Sequence, residues 1–327
     1  MKIGFYGKRA CSRIEEIAIP GFCIACLLAA MVAPGQPAEA SGRKSPTMTE
    51  ILAASKPDDW RALDPERTLY MELAGGRVII ELSPAFAPLH VANVKALARE
   101  QYYDGLSIIR VQDNYVAQWG DPEAEKPQSA RGIQHAKKNL PAEFDRAIDA
   151  AIPFTPLADG DVYAAEVGFS DGFPVARDKR GGRMWLTHCY GMVGSARSDS
   201  RESGGGTEIY VVIGQAPRQL DRNVTLFGRV IQGMELLSSL PRGNGAMGFY
   251  DKPEQRVPIK SIRVAADVPL AERTGLEVMR TDTETFRRLI EARRNRAEEW
   301  FVFQAGRIEL CNIPVPLRKK TGTSGTR

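Results

Sequence analysis

Two alternating runs, TLYMELA at 68–74 and RVIIELS at 77–83, meet at Gly75-Gly76. A period of two sends successive side chains to opposite faces of a strand, and a glycine pair supplies the backbone freedom of a tight turn. The pattern predicts an antiparallel hairpin as the organising unit. Pro84 and Pro88 then interrupt the sheet signal, after which Val91, Val94, Leu97 and Ala98 recur at helical spacing within HVANVKALAREQ. Apolar runs return at Gly191–Val193 and Ile209–Ile213. LFGRVIQG reads as a strand, MELLSSL as a short helix after Gly233, and Val257–Ala265 as a closing strand. Hairpins, several short strands and two clear helices in the middle predict a mainly β domain, a closed antiparallel barrel with helices at its ends.

The segment YDGLSIIRVQDNYVAQWGD, residues 103–121, carries the chemistry. Ile109 and Val111 are expected on one face of a strand with Arg110 on the other, and after a turn at Asp113-Asn114 an apolar run encloses Gln118. A strand pair that keeps one guanidinium and one amide beside apolar side chains implies a pocket for a neutral polar group.

Residues 122–183 form a long polar segment in which LPAEFDRAIDAAI is expected to be helical and VGFSDGFPVARD an irregular loop. A stretch this long inside a compact domain is a functional loop or an inserted subregion. Beyond 265, Asp282 is placed to cap a helix containing Phe286, Leu289, Ile290, Ala297 and Trp300, its arginines facing solvent. Phe301–Leu317 is expected to add a strand, followed by a disordered tail. The division that results is a signal at 1–40, a linker at 41–66 with a short helix expected around Thr49–Ala54, the barrel at 67–265 and a C-terminal extension at 266–327.

The N-terminus has the layout of a secretory signal. Lys2, Lys8, Arg9 and Arg13 precede an apolar stretch from Ile17 to Val32, and small residues at Ala38 and Ala40 offer a cleavage site. This predicts export to the periplasm and no stable membrane span after cleavage. The net charge of +4 is spread along the chain, which implies no nucleic-acid partner. Removal of 1–40 leaves Cys189 and Cys311, which in an oxidising compartment allow either a pair or two separate thiols. His90, His135 and His188 show no ligand spacing and no CxxC remains, so neither a metal site nor a Cys/Ser–His nucleophile is expected.

The order of elements and the Arg110 segment resemble the cyclophilins, the barrel-shaped peptidyl-prolyl isomerases, over about residues 67–265. The family's Arg, aromatic, apolar, Gln and Gly-Asp series is similar to Arg110, Tyr115, Val116, Gln118 and Gly120-Asp121. A second stretch resembles Gly205-Gly206-Thr207-Glu208-Ile209-Tyr210-Val211, and a third resembles Leu220-Asp221-Arg222 followed by Leu226 to Met234. LPAEF at 140–144 resembles the family's acidic Glu-Phe element. The resemblance implies isomerisation of X–Pro bonds in proline-containing segments of folding proteins, with no cofactor. Arg110 and Gln118 would be catalytic, and Tyr115, Val116, Ala196, Glu208, Tyr210 and Leu220 would bind substrate. Departures are Gln219 for an aromatic, Val224 for a histidine, Arg197 for an asparagine and Glu208 for a glutamine. Glu208 is expected to pair with Arg110 or Arg197, or to select basic peptides. The same departures motivate an alternative, a non-catalytic cyclophilin-like binding or scaffold module that works through 122–183 and the C-terminal extension.

Overall fold

A computed structural model describes residues 45–124, 126, 128–202 and 204–320. The signal read at 1–40 and the tail beyond 320 lie outside the described residues. In chain order the strands are β1 (Trp60–Ala62), β2 (Thr68–Leu73), β3 (Gly76–Leu82), β4 (Ser107–Val111), β5 (Val116–Gly120), β6 (Arg146–Ala147), β7 (Thr155–Leu157), β8 (Glu166–Ser170) and β9 (Phe173–Asp178). They continue with β10 (Arg183–Leu186), β11 (Met192–Ser195), β12 (Ile209–Val212), β13 (Leu226–Gln232), β14 (Val257–Pro258), β15 (Ser261–Val264), β16 (Leu276–Met279) and β17 (Leu317–Lys319). The helices are α1 (Met48–Ala53), α2 (Pro88–Arg99), α3 (Met234–Ser238) and α4 (Glu284–Arg294).

Nine strands form the main sheet in the order β14-β4-β5-β12-β11-β13-β3-β2-β15, antiparallel throughout. The hairpin of β2 and β3 pairs Leu73 with Gly76. The expected closed barrel is corrected to a curled sheet, because no ladder joins edge strands β14 and β15 to each other. Only Ile259 and Lys260 separate them. Ile259 bonds to Gly105 and Leu106 beside β4, and the Lys260 N–H donates to Glu72 in β2. Inward side chains of β2 and β3 (Leu69, Met71, Val78, Ile80) pack with Val91, Val94 and Leu97 of α2 in one core. The helical spacing of those residues is what buries that face.

The inserted segment has its own five-stranded sheet, in the order β6-β10-β9-β8-β7. VGFSDGFPVARD is therefore a hairpin rather than an irregular loop: Asp171 (φ 48°) and Gly172 (φ 84°) make its turn between β8 and β9. Asp-Gly with both residues at positive φ is a strong hairpin signal. LPAEFDRAIDAAI is not helical, and Arg146–Ala147 pair with Arg183 and Met184 instead. Phe169, Phe173, Trp185 and Leu186 of this sheet share a second core with Phe286, Leu289 and Ile290 of α4 and with Ile51 of α1.

The segment read as a linker is structured from residue 45 onward. Thr47 and Glu50 form a reciprocal cap at the start of α1, and β1 pairs with β16, which pairs with β17. The cap of α4 is Thr283 rather than Asp282, its hydroxyl accepting from Phe286 N. The helix ends at Arg294, so Ala297 and Trp300 lie beyond it and Trp300 is exposed. Between Phe301 and Leu317 the chain is irregular apart from a short turn of helix, and the strand expected there is confined to 317–319. Cys311 is bonded to Cys189, which resolves the open question of those thiols and fastens the extension to the start of β11.

Candidate active site

A bulge in β4 aims the central residue. Ile108 pairs with Trp119 and Arg110 pairs with Gln118, so the ladder gains one residue at Ile109. A bulge breaks strict alternation and re-aims the side chain that follows it. Ile108 and Val111 consequently enter the first core together, while Arg110 pairs with Gln118 on the cleft side. Ile109, buried but outside that core, does not share the face of Val111 as expected. Register carries the row onward, from Gln118 opposite Tyr210 to Tyr210 opposite Gly194. A Cβ at Gly194 would lie 2.4 Å from the Tyr210 hydroxyl, so the glycine makes room for the ring.

Around this row lies a cleft of ≈ 910 Å³. Arg110, Tyr115, Val116, Gln118, Ala196, Glu208, Tyr210 and Leu220 all line it, so the eight residues singled out in the sequence come together. Arg110 Nε donates to the Met247 carbonyl at 2.7 Å, Nη1 donates to Gln118 Oε1 at 3.0 Å, and Nη2 donates to Gln112 Oε1. A guanidinium has five N–H groups, and these three bonds leave one on each Nη. The head group sits 5.6 Å from the Tyr115 ring centroid and 5.4 Å from that of Phe249. No ion pair holds it among the described residues. Burial pulls its pKa below the ordinary value, partly opposed by Tyr115, yet an arginine so placed remains charged near neutral pH.

Gln118 is fixed at both ends of its amide. Its Oε1 accepts from Arg110 and its Nε2 donates to Glu208 Oε2 at 2.7 Å. Glu208 thus acts on Arg110 through Gln118, and Gly120 gives its side chain space, since a Cβ there would meet Glu208 Cγ at 2.5 Å. Arg197 turns toward the Asn223 and Ser198 carbonyls. Ala196 N donates to the Glu208 carbonyl and sets that side of the rim. Tyr210 is buried against Val116, and burial with the nearby Tyr115 and Asp221 holds its phenol pKa well above the usual range. The hydroxyl therefore keeps its proton.

Met247, Phe249 and Gln112 were missed in the sequence. Phe249 forms a bridge with the backbone of Arg110 and walls its guanidinium. The loop that bears Met247 and leads into Phe249, Gly243 to Gly248, has no apolar period to mark it. Gln112 had one signal, its position two residues after Arg110, just past the end of β4.

Among the described residues no cluster of three or more His, Cys, Asp or Glu is placed to hold a metal ion, and no helix is long and apolar enough to cross a membrane. The cleft combines apolar side chains with two fixed polar ones, the guanidinium of Arg110 and the amide of Gln118. The family model described as cyclophilin type peptidyl-prolyl cis-trans isomerase/CLD matches residues 68–264. The chain belongs to that family and is a peptidyl-prolyl cis-trans isomerase. A probable peptidyl-prolyl cis-trans isomerase of Brucella suis is 30% identical over 195 residues, 58% of this chain and 82% of the relative. A putative thylakoid lumen peptidyl-prolyl cis-trans isomerase of Synechocystis is 23% identical over 54% of this chain and 44% of its own length. The crystal structure of the cyclophilin AquaCyp293 from Hirschia baltica aligns with TM-score 0.64 and 26% identity, covering 84% of this chain and 99% of that one.

Proposed function

We propose that this isomerase turns X–Pro bonds in proteins folding outside the cytoplasm, and that Arg110 stabilises the twisted imide. Rotation breaks amide resonance against a barrier of about 18–20 kcal/mol. As the bond twists, the prolyl nitrogen regains a lone pair and becomes an acceptor. A donor fixed beside it then binds the twisted form more strongly than the planar one, which is the difference catalysis requires. Tyr115, Val116, Tyr210 and Leu220 would hold the proline ring, with Ala196 and Glu208 along the flanking chain. Gln118 would hold Arg110 in place or receive the substrate carbonyl. A drier slot also favours the less polar twisted imide. An acceleration of about 10⁵-fold asks for about 7 kcal/mol, within reach of these effects acting with orientation.

The observation that carries this reading is the direction of Arg110. Its guanidinium lines the cleft, is held by three acceptors that leave one N–H on each Nη, and lies beside two aromatic rings. Catalysis is assigned to the 67–265 domain with its curled sheet, with 122–183 and 266–327 as additions to it. Export is supported by the 1–40 signal pattern, by the Cys189–Cys311 bond, of a kind that persists in oxidising compartments, and by the lumenal Synechocystis relative. Proline-containing segments of unfolded chains are the proposed substrates. The test is cis-to-trans relaxation of an Ala-Pro peptide. Acceleration by the parent that is lost in Arg110→Ala supports the role, and equal rates for both reject it. Peptide binding without acceleration would instead favour a scaffold module.

A further inference from the structure

A chain of buried polar side chains runs from the floor of the cleft into the inserted segment. The Tyr210 hydroxyl is 2.8 Å from His188 Nε2, with the two rings stacked at an interplanar angle of 5°. His188 Nδ1 lies 2.9 Å from Asp221 Oδ1, and the His188 backbone N–H donates to the same oxygen at 2.9 Å. The second Asp221 oxygen accepts from Arg218 Nε at 2.5 Å. The far edge of that guanidinium donates to both oxygens of Asp161, at 2.9 and 3.1 Å. Side-chain exposure along the chain is 0% for His188, 2% for Arg218, 4% for Asp161 and 7% for Asp221. Networks this dry and this fully satisfied hold their members in one arrangement.

The chemistry has a direction. Asp221 only accepts, so it fixes a proton on His188 Nδ1. In the neutral imidazole, Nε2 is then left to accept from Tyr210; in the imidazolium it donates to the Tyr210 oxygen. Either way the ring keeps one orientation, and Tyr210 is held by it. Arg218 and Asp221 also bracket Leu220, which sits in the short helical turn Arg218–Leu220 on the cleft wall. Asp161 is the member that belongs to the inserted segment. It lies in the loop between β7 and β8, and two residues earlier Asp159 of the same loop accepts from Arg294 of α4 at 2.9 Å.

We propose that Asp161 is a positioning residue through which the inserted segment sets the floor and one wall of the proline cleft, by way of Arg218, Asp221, His188 and Tyr210. This rests on the cleft being the isomerase site, and it adds that the insertion tunes how tightly that site binds. Arg110 lies outside the chain of contacts, so the effect falls on KM rather than kcat. For Asp161→Asn, KM for an Ala-Pro peptide is expected to rise about five- to tenfold with kcat within about twofold, the pattern of lost uniform binding. In a Tyr210→Phe background, where the last link is already cut, the same substitution is expected to change KM by less than about twofold, because coupled residues are not additive.

The experiment is this double-mutant cycle on the disulfide-bonded chain, with side-chain ¹⁵N resonances of His188 recorded for each variant. If Asp161→Asn does not fold, Asp161→Glu, which keeps the carboxylate, takes its place in the cycle. An equal KM penalty in both backgrounds, or an unchanged KM with a lowered melting temperature, would overturn the proposal. A parent without isomerase activity would sink the functional reading instead. The relay is then judged by the resonances, which must move in the Asp161 variant if the chain of contacts exists and stay in place if it does not.

Discussion

Replacing Cys189 and Cys311 together by serine is expected to lower unfolding free energy by several kcal/mol without removing isomerase activity. The bond joins residues 122 apart in sequence. Chain-entropy reasoning for a loop of that size gives an upper figure of about 5 kcal/mol at 25 °C, and native bonds commonly deliver ~2–4 kcal/mol. The native contacts say where the loss falls: Cys311 adjoins Leu310 and Ile313 in the second core, where they pack with α4 and the inserted sheet. Urea unfolding of the oxidised parent, the reduced parent and the double serine variant measures it. With a slope of about 3 kcal/mol per molar for a chain of this size, the midpoint should fall by roughly 1 M in both altered forms. Reduced parent and serine variant should agree, since both lack the same link. Equal midpoints for all three would refute the reasoning, and would mean that 122–183 and the extension stay docked without help.

Other expectations follow from the same contacts. Glu208→Gln should lower kcat/KM about tenfold, because an amide held by a carboxylate loses a charge-assisted bond of roughly 1.5–3 kcal/mol; an unchanged kcat/KM would separate Glu208 from Arg110. Glu81 is buried between Arg61 at 2.6 Å and Arg229 at 2.9 Å. Burial alone would raise its pKa, but the pull of Arg229 and Arg61 outweighs burial and leaves it lowered. The stability it contributes is therefore present above its unfolded value of about 4.3 and lost as pH falls through the folded one. Glu81→Gln should cost roughly 3–5 kcal/mol at pH 7, and the gap from the parent should shrink below about pH 4; a gap that stays constant with pH would contradict the linkage. Thr283→Ala should cost about 1 kcal/mol through the lost α4 cap, read from thermal unfolding.

Where the sequence spoke clearly, a short-range rule governed the structure. Gly75-Gly76 between alternating runs and the helical spacing of Val91, Val94, Leu97 and Ala98 decided local structure before any tertiary contact. The site residues were found through motif order, yet the device that aims Arg110 was not. A bulge at Ile109 looks like ordinary alternation until the partner strand is known, which is why alternation puts Ile109 on the face of Val111 that Ile108 takes. Asp171-Gly172 was a visible hairpin signal overlooked inside a polar segment. The helix expected at 140–152 is absent because Arg146 and Ala147 pair with β10, a tertiary ladder that overrides helical propensity. Arg218, His188 and Asp161 gave no sign of acting together, since residues this far apart meet only in the fold.

The central claim is that a fixed guanidinium lowers the barrier to imide rotation. Its most direct test is the cis-to-trans relaxation rate of an Ala-Pro peptide with residues 41–327 of the parent and of Arg110→Ala, with circular dichroism confirming both are folded. A rate enhancement in the parent that drops at least ~100-fold in the folded variant is the expected result, equivalent to about 3 kcal/mol of transition-state stabilisation. A variant as fast as the parent would contradict it.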